Sequence, residues 1–309
     1  MIILVIMKIT NIVYFLLVVA LCILMLLIVN RIVKSIRNKE TLSIVQSKKD
    51  EKECNEILVR KEKRCNCFTK KGYPSKDQQT CMKITHDPYC KDYNQCKNKF
   101  LSYMSGSEPE YNPDNWSDPI VEGSHNCYAY FLDDHISEIK DKCNSYCKKY
   151  IKKNGKKVCA TKPPKCNNLK PQPGDIAQRN GFIKKNIYDY NCPSIVNKVL
   201  LDNTDKNAAS SKIKKVKFQE ACPANYYKGA VVVHPNKTYH FYRQDKNGRF
   251  SHKQGVLKVE NEDASKQPIW APHLADRDYQ KEKNDGINYT DFCTYFCIPK
   301  NYFKKTNAI

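Results

Sequence analysis

The chain has 309 residues, and its 53 lysines and arginines outnumber 32 acidic residues to give a formal net charge of +21. This length suits one large domain or two small ones, and a hydrophobic content of 41% suffices for a packed core. The basic residues are scattered and no nucleic-acid motif is present, so specific nucleic-acid binding is not expected. The charge then belongs either to a solvated surface or to a face that attracts anionic glycan, lipid or nucleic acid.

The N-terminal segment is the most apolar part of the sequence. Residues 12–29 read IVYFLLVVALCILMLLIV, eighteen residues without a charge. A helix of this length spans about 27 Å, close to the hydrocarbon thickness of a bilayer. The stretch is longer than the apolar part of a secretory signal and has no small-residue cleavage site. We therefore predict a retained single-pass transmembrane helix, with a cleaved signal as the alternative.

Two features favour opposite orientations of this membrane protein. The positive-inside rule places the C-terminal part in the cytoplasm, because four basic residues follow the apolar segment: Arg31, Lys34, Arg37 and Lys39. The many cysteines favour an oxidising compartment instead. Three N-x-S/T sequons, which are candidate glycosylation sites, agree with the cysteines: Asn115, Asn236 and Asn288. We expect the bulk of the chain in an oxidising environment, which is extracellular, lumenal or inside a virion.

The cysteine count predicts one thiol without a disulfide partner. Cys22 lies in the apolar segment, and fifteen cysteines follow: Cys54, Cys65, Cys67, Cys81, Cys90, Cys96, Cys127, Cys143, Cys147, Cys159, Cys166, Cys192, Cys222, Cys293 and Cys297. Because fifteen is odd, seven bridges would leave one cysteine over. The spacing of the cysteines at 54–96 fits zinc poorly, so we predict disulfides and no metal site, with metal binding by these cysteines as the alternative.

The composition predicts three regions. Residues 1–34 form the anchor and its flank, and residues 35–100 form a charged stalk and a cysteine-rich segment. Residues 101–309 form a globular domain with a cysteine-rich insertion at 140–170. The segment at 61–100 is too polar to bury a core alone, so we expect disulfides or packing against the following domain to hold it.

Within the globular domain the sequence alternates between helical and strand patterns. HNCYAYFLDD opens a helix capped by Ser124 or Asn126. Prolines argue against regular structure in the insertion, and residues 183–215 read as irregular. YYKGAVVVHP predicts a strand, KTYHFYRQDKNGRFSHKQG a hairpin, and DFCTYFCIP a last strand or turn. The fold class is therefore α+β.

The hairpin turn decides where two histidines point. A two-residue turn at Asn247-Gly248 would put the histidines on opposite faces of the ribbon. A three-residue turn with Gly248 in the left-handed region instead sets Tyr242 opposite His252. His240 and His252 then share one face as diagonal neighbours. We predict the second geometry.

One cysteine and these two histidines suit acyl-transfer chemistry. A thiol at a helix N-terminus has its thiolate stabilised by the helix dipole and by a cationic imidazole, and nearby N–H groups hold an oxyanion. We predict Cys127 as nucleophile, His240 as general base and His252 as the residue that orients His240. The alternative makes Cys127 one more disulfide partner. His234 is a weaker candidate base, because it precedes a proline at a strand end.

The order of these motifs resembles the NlpC-like cell-wall peptidases, which have a papain-like fold. That family has a Cys opening a helix, a Pro-Gly-Asp, a strand His and a second His about twelve residues later; here these are Cys127, Pro173-Gly174-Asp175, His240 and His252. The resemblance implies a papain-like, NlpC-type domain at 101–309, in which the helix bearing the Cys packs on an antiparallel sheet. It also implies that Pro-Gly-Asp is structural and turns the chain into the first core strand. The overall pattern is similar to uncharacterised proteins of giant DNA viruses.

These observations predict a membrane-anchored thiol hydrolase or acyltransferase that cleaves an amide or ester through an acyl-enzyme and needs no cofactor. Expected substrates are a peptide or isopeptide bond, a cell-wall peptide or a lipid ester. The alternative is a catalytically silent, disulfide-stapled virion or surface protein that serves in structure or attachment.

Overall fold

A computed structural model describes residues 2–67, 78–153, 155–187, 189–202, 213–280 and 286–300, without the side chains of 2–24, 38–40, 42, 78, 79 and 85. The chain divides into two compact units, Met1–Glu53 and Cys54–Ile309. The predicted boundaries near residues 34 and 100 stay predictions.

Helix α1 is assigned to Ile2–Cys65. In the part of the chain that the structure describes, no helix is long and apolar enough to cross a membrane. Most of the predicted anchor at 12–29, including Cys22, falls on residues whose side chains lie outside the description.

The second unit is α+β with antiparallel sheets, as predicted. Its helices after α1 are α2 Gln78–His86, α3 Lys91–Leu101, α4 Pro119–Ser124, α5 Cys127–Phe131, α6 Ser137–Asn144, α7 Asp175–Arg179 and α8 Cys192–Asp202. The strands are β1 Tyr150–Lys153, β2 Lys156–Cys159, β3 Lys214–Val216, β4 Tyr226–His234, β5 Thr238–Gln244, β6 Phe250–Lys253, β7 Val259–Glu260 and β8 Asp291–Pro299. The larger sheet has the order β3-β8-β4-β5-β6-β7, and β1 pairs with β2 in a separate ribbon.

Both faces of the six-stranded sheet are covered, which explains the unbroken apolar run of β4. Val231 and Val233 pack with α5 and α8 on one face. Val232 packs on the other face with the end of α1 and with α3. A strand buried on both faces has no polar alternation, so VVV in β4 fits a central strand.

Seven disulfides hold the second unit, as the cysteine count predicts. They are Cys54–Cys96, Cys65–Cys90, Cys67–Cys81, Cys143–Cys166, Cys147–Cys159, Cys192–Cys293 and Cys222–Cys297. The segment at 61–100 is therefore stapled, and the bridges indicate an oxidising, extracellular-type environment.

Three local predictions were wrong. The Pro173-Gly174-Asp175 turn leads into helix α7 and not into a core strand. Residues 192–202, read as irregular, form α8. The insertion at 140–170 contains the regular β1–β2 ribbon despite its prolines.

Candidate active site

The hairpin has the predicted three-residue geometry. Tyr242 pairs with His252, and the Asp245 amide donates to the carbonyl of Arg249. Gly248 has a φ of +88°, the left-handed value that the bulge requires of a glycine. The prediction that His240 and His252 share one face of the ribbon is therefore confirmed.

The two imidazoles form a relay with a defined direction. His240 Nε2 lies 2.9 Å from His252 Nδ1, and His252 Nε2 lies 2.9 Å from the carbonyl oxygen of Glu262. A carbonyl only accepts, so Nε2 of His252 carries the proton and its Nδ1 accepts from His240. In that neutral tautomer the lone pair of His240 is on Nδ1, the atom that a general base would use.

Aromatic rings surround His240 and fix its orientation. The ring of Tyr289 stacks on it with centroids 5.3 Å apart, and Tyr242 meets it edge-on at 5.2 Å. His240 is 2% exposed and His252 is fully buried. The relay is thus held rigidly, which limits the imidazole to small movements.

Cys127 is the one free cysteine among the residues whose side chains the structure describes. It opens helix α5, and its sulfur accepts a hydrogen bond from the backbone amide of Phe241, the residue next to His240. Cys127 belongs to the α5 face of the sheet, together with Phe241. His240 points to the other face, as its neighbours Tyr242 and Tyr289 show.

Cys127 and His240 nevertheless both line one cavity of about 510 Å³. Strand β6 pairs with β5 only from Tyr242 onward, so residues 238–241 of β5 have no partner in β6. The cavity forms along this part of β5. The remaining lining mixes polar and aromatic residues with the aliphatic Val256, Leu257 and Ile287, and its one charged side chain is that of Lys170. His252 does not line the cavity, but it contacts His240, which does.

The burial of Cys127 works against the stabilised thiolate that the sequence predicts. Burial raises its pKa to about 11, while the Phe241 amide and the ammonium groups of Lys253 and Lys170 act in the opposite direction. Helix α5 has only five residues, and the Asn126 side chain already accepts from the amides of Tyr128 and Ala129. The cap therefore engages two of the backbone amides at the start of the helix, and the oxyanion site stays a prediction.

Two lysines near the thiol were missed by the sequence reasoning. Lys253 is fully buried, donates to the carbonyls of Glu122 and Gly255, and has its pKa lowered to about 7 by burial. Burial also lowers the pKa of Lys170. The alternation of side chains along a strand could have predicted the position of Lys253. Because Lys253 follows His252 in β6, its side chain lies on the opposite face of the sheet, which α5 covers.

The Pro173-Gly174-Asp175 turn is held outside the cavity lining. Gly174 has a φ of +93°, and its amide donates to the buried carboxylate of Asp202, which also accepts from the Tyr128 hydroxyl and the Ala177 amide. Burial raises the pKa of Asp202 to about 6. Asp202 thus ties the turn to the helix that carries Cys127.

The other conspicuous residues lie elsewhere. The Nδ1 of His234 accepts from the amide of Asn288. His125 is buried against Ser124, and burial lowers its pKa to about 3. Trp116 and Trp270 both pack in hydrophobic clusters and do not line the cavity that holds Cys127 and His240.

The predicted sequons differ in access. Asn115 and Asn236 are exposed, whereas Asn288 is half-buried. In the described ranges, no group of three or more His, Cys, Asp or Glu side chains is arranged to hold a metal ion.

Comparison with known proteins gives a short partial match. No family model matches the chain, and no solved structure matches it. Insoluble matrix shell protein 1 of Ruditapes philippinarum is 52% identical over 48 residues, which are 16% of this chain and 32% of that protein. The chain therefore spans about a third of the curated relative it matches.

Proposed function

We propose that the protein is a thiol hydrolase or acyltransferase that uses Cys127, His240 and His252. One observation carries this proposal: the cysteine that seven disulfides leave over lines the same cavity as His240, the first residue of a directed two-histidine relay. A pair of histidines that only packs in the core would not need to border a cavity, and a cysteine without a function would not need a histidine beside the same cavity. Their meeting in one cavity favours chemistry over packing.

The proposed mechanism starts from the neutral thiol, because burial raises the pKa of Cys127. The neutral thiol attacks a carbonyl carbon while Nδ1 of His240 takes its proton, so that the thiolate forms only as the S–C bond forms. His240 then gives that proton to the departing amine or alcohol, which leaves a thioester on Cys127. Water or a second nucleophile cleaves the thioester, again with His240 as base, and restores the thiol.

In this mechanism His252 is a positioning residue. It accepts the proton of His240 Nε2 in a hydrogen bond, which keeps the lone pair on Nδ1 and stabilises the imidazolium once it forms. The Glu262 carbonyl fixes the tautomer of His252 in turn.

The proposal also retains the finer parts of the sequence interpretation. They are the papain-like, NlpC-type fold, the single-pass anchor at 12–29 and, as substrates, a peptide or isopeptide bond, a cell-wall peptide or a lipid ester. Partition of the full chain into the membrane fraction after alkaline carbonate washing tests the anchor.

The test of the chemistry uses an activated ester, p-nitrophenyl acetate, with the full oxidised chain. We expect a burst of one nitrophenolate per chain and an acetyl group on Cys127 by mass spectrometry. Cys127→Ser should abolish the adduct, and His240→Asn should slow its formation at least about 100-fold. His234→Asn is the matched control, a histidine of the same sheet outside the cavity, and should react as the native chain does.

Detection of Cys127 in a disulfide, or equal rates for the His240 and His234 variants, would remove the catalytic proposal. The second candidate, a catalytically silent structural protein, would then stand. Three observations favour this structural role. The chain has seven disulfides, burial raises the pKa of the Cys127 thiol, and the protein that matches in part is named as a shell matrix protein.

A further inference from the structure

The insertion at 140–170 holds a concentrated block of positive charge. Residues 142–170 contain ten lysines and no aspartate or glutamate. Strands β1 and β2 carry four of them in directly opposed pairs, Lys152 with Lys157 and Lys153 with Lys156. All four side chains are exposed, and none forms an ion pair within the described part of the chain.

This arrangement is unfavourable for an isolated ribbon. A two-stranded hairpin is only marginally stable in water, and like charges placed directly opposite destabilise it further. Every residue of β1 is exposed, and on β2 only Val158 and Cys159 are not, so packing compensates little. A ribbon that works against its own stability points to a role in which an external anion neutralises the lysines.

Covalent links keep the ribbon formed in spite of the repulsion. Cys147–Cys159 joins the residues at its base, and Cys143–Cys166 closes the surrounding loop. The sulfurs of Cys143, Cys159 and Cys166 pack with Ile120 in a small buried cluster. The lysines are therefore presented on a preorganised support, which lowers the entropy lost on binding.

We infer that the β1–β2 ribbon is a binding surface for an acidic polysaccharide. Its lysines alternate between the two faces, with Lys152 and Lys157 on one and Lys153 and Lys156 on the other. A flexible linear polyanion reaches both faces of a ribbon, whereas a flat bilayer meets one.

The chemistry of the ribbon also disfavours nucleic acid. Its cations are all lysines, which lack the planar fork that arginine offers to phosphate. The exposed aromatic ring of the ribbon, Tyr150, lies 4.5 Å under the ammonium group of Lys157, which leaves at most one ring face for base stacking. The disulfides indicate an extracellular-type environment, where acidic polysaccharides are the common linear polyanions.

The experiment measures binding of fluorescein-labelled dextran sulfate to the full oxidised chain by anisotropy, at several salt concentrations. The ribbon variant replaces Lys152, Lys153, Lys156 and Lys157 with Gln. The matched control replaces four exposed lysines elsewhere with Gln: Lys184, Lys185, Lys214 and Lys215. We expect the ribbon variant to bind at least about 10-fold more weakly with a flatter salt dependence, and the control to bind within about 2-fold of the native chain.

Further arms exclude the alternatives. Replacing the same four ribbon residues with Arg keeps the charge and should preserve binding, which separates loss of charge from loss of fold. Equal weakening in the ribbon and control variants would show diffuse attraction and overturn the inference. Tighter binding of duplex DNA, or of phosphatidylserine vesicles, than of dextran sulfate at equal salt would overturn the assignment to polysaccharide.

Discussion

The buried thiol of Cys127 predicts a distinctive pH dependence of alkylation. Its pKa of about 11 compares with 9.0 for an ordinary cysteine. At pH 8 the thiolate fraction is then about 0.1%, against about 10% for the ordinary thiol, a difference of about 100-fold. Since the thiolate is the reactive form, Cys127 should react about 100-fold more slowly than an exposed cysteine for this reason alone.

The measurement is the rate of iodoacetamide labelling of Cys127 between pH 6 and pH 10 without reductant, followed by mass spectrometry. We expect the logarithm of the rate to rise by about one per pH unit with no plateau. The side chain is only 6% exposed, but restricted access lowers the rate equally at every pH and leaves the slope unchanged. A rate that is already level below pH 8 would reveal a preformed thiolate–imidazolium pair and refute the argument from burial.

The same pKa shift affects stability in a known direction. The folded-state pKa of Cys127 lies above the unfolded value, so its contribution is fully present below about pH 9 and is lost as the pH rises toward about 11. Cys127→Ala should remove that part of the alkaline loss of stability, measured as urea midpoints at pH 8 and pH 10.5. An unchanged difference between the two midpoints would contradict the assignment.

Three further substitutions test the packing and electrostatics around the site. In Gly229→Ala the added Cβ would lie 2.4 Å from a ring carbon of Phe131, so we expect the free energy of unfolding in urea to fall by about 1–3 kcal/mol. The control is Gly123→Ala, whose added Cβ has its nearest atom at 3.5 Å and which should be neutral or stabilising. Asp202→Ala should lower the free energy of unfolding by more than about 2 kcal/mol in the same assay, because it leaves every buried donor without its acceptor. Asp202→Asn should lower it by less, because the amide oxygen still accepts. Lys170→Gln should slow alkylation of Cys127 at pH 8 by about 2-fold or more, since a nearby cation is removed, while Lys162→Gln should leave the rate unchanged.

The features that follow from short-range patterns could be predicted from the sequence. Asn247-Gly248 marks the hairpin locally and limits it to two turn geometries, one of which sets His240 and His252 on a shared face. The apolar run of β4 marks a strand wherever it packs, and an odd number of cysteines leaves one over in any connectivity.

The features that were missed depend on the tertiary environment. The expected thiolate rested on a helix dipole, but the helix has five residues and Asn126 caps it. The pKa of Cys127 is set by how deeply the folded chain buries it, which no local pattern encodes. Likewise, Gly174 leads into helix α7 because Asp202, which is distant in sequence, accepts a hydrogen bond from the Gly174 amide.

The seven bridges fall into three separate stretches of sequence, at 54–96, 143–166 and 192–297. A protease that cuts between Cys192 and Cys222 leaves two fragments still joined through Cys192–Cys293, so the product migrates as one species on a denaturing gel until a reductant is added. A cut at 97–142 or 167–191 crosses no bridge, and its fragments separate at once. The ladder of bands with and without reductant therefore reads out the cross-link pattern of the intact protein directly.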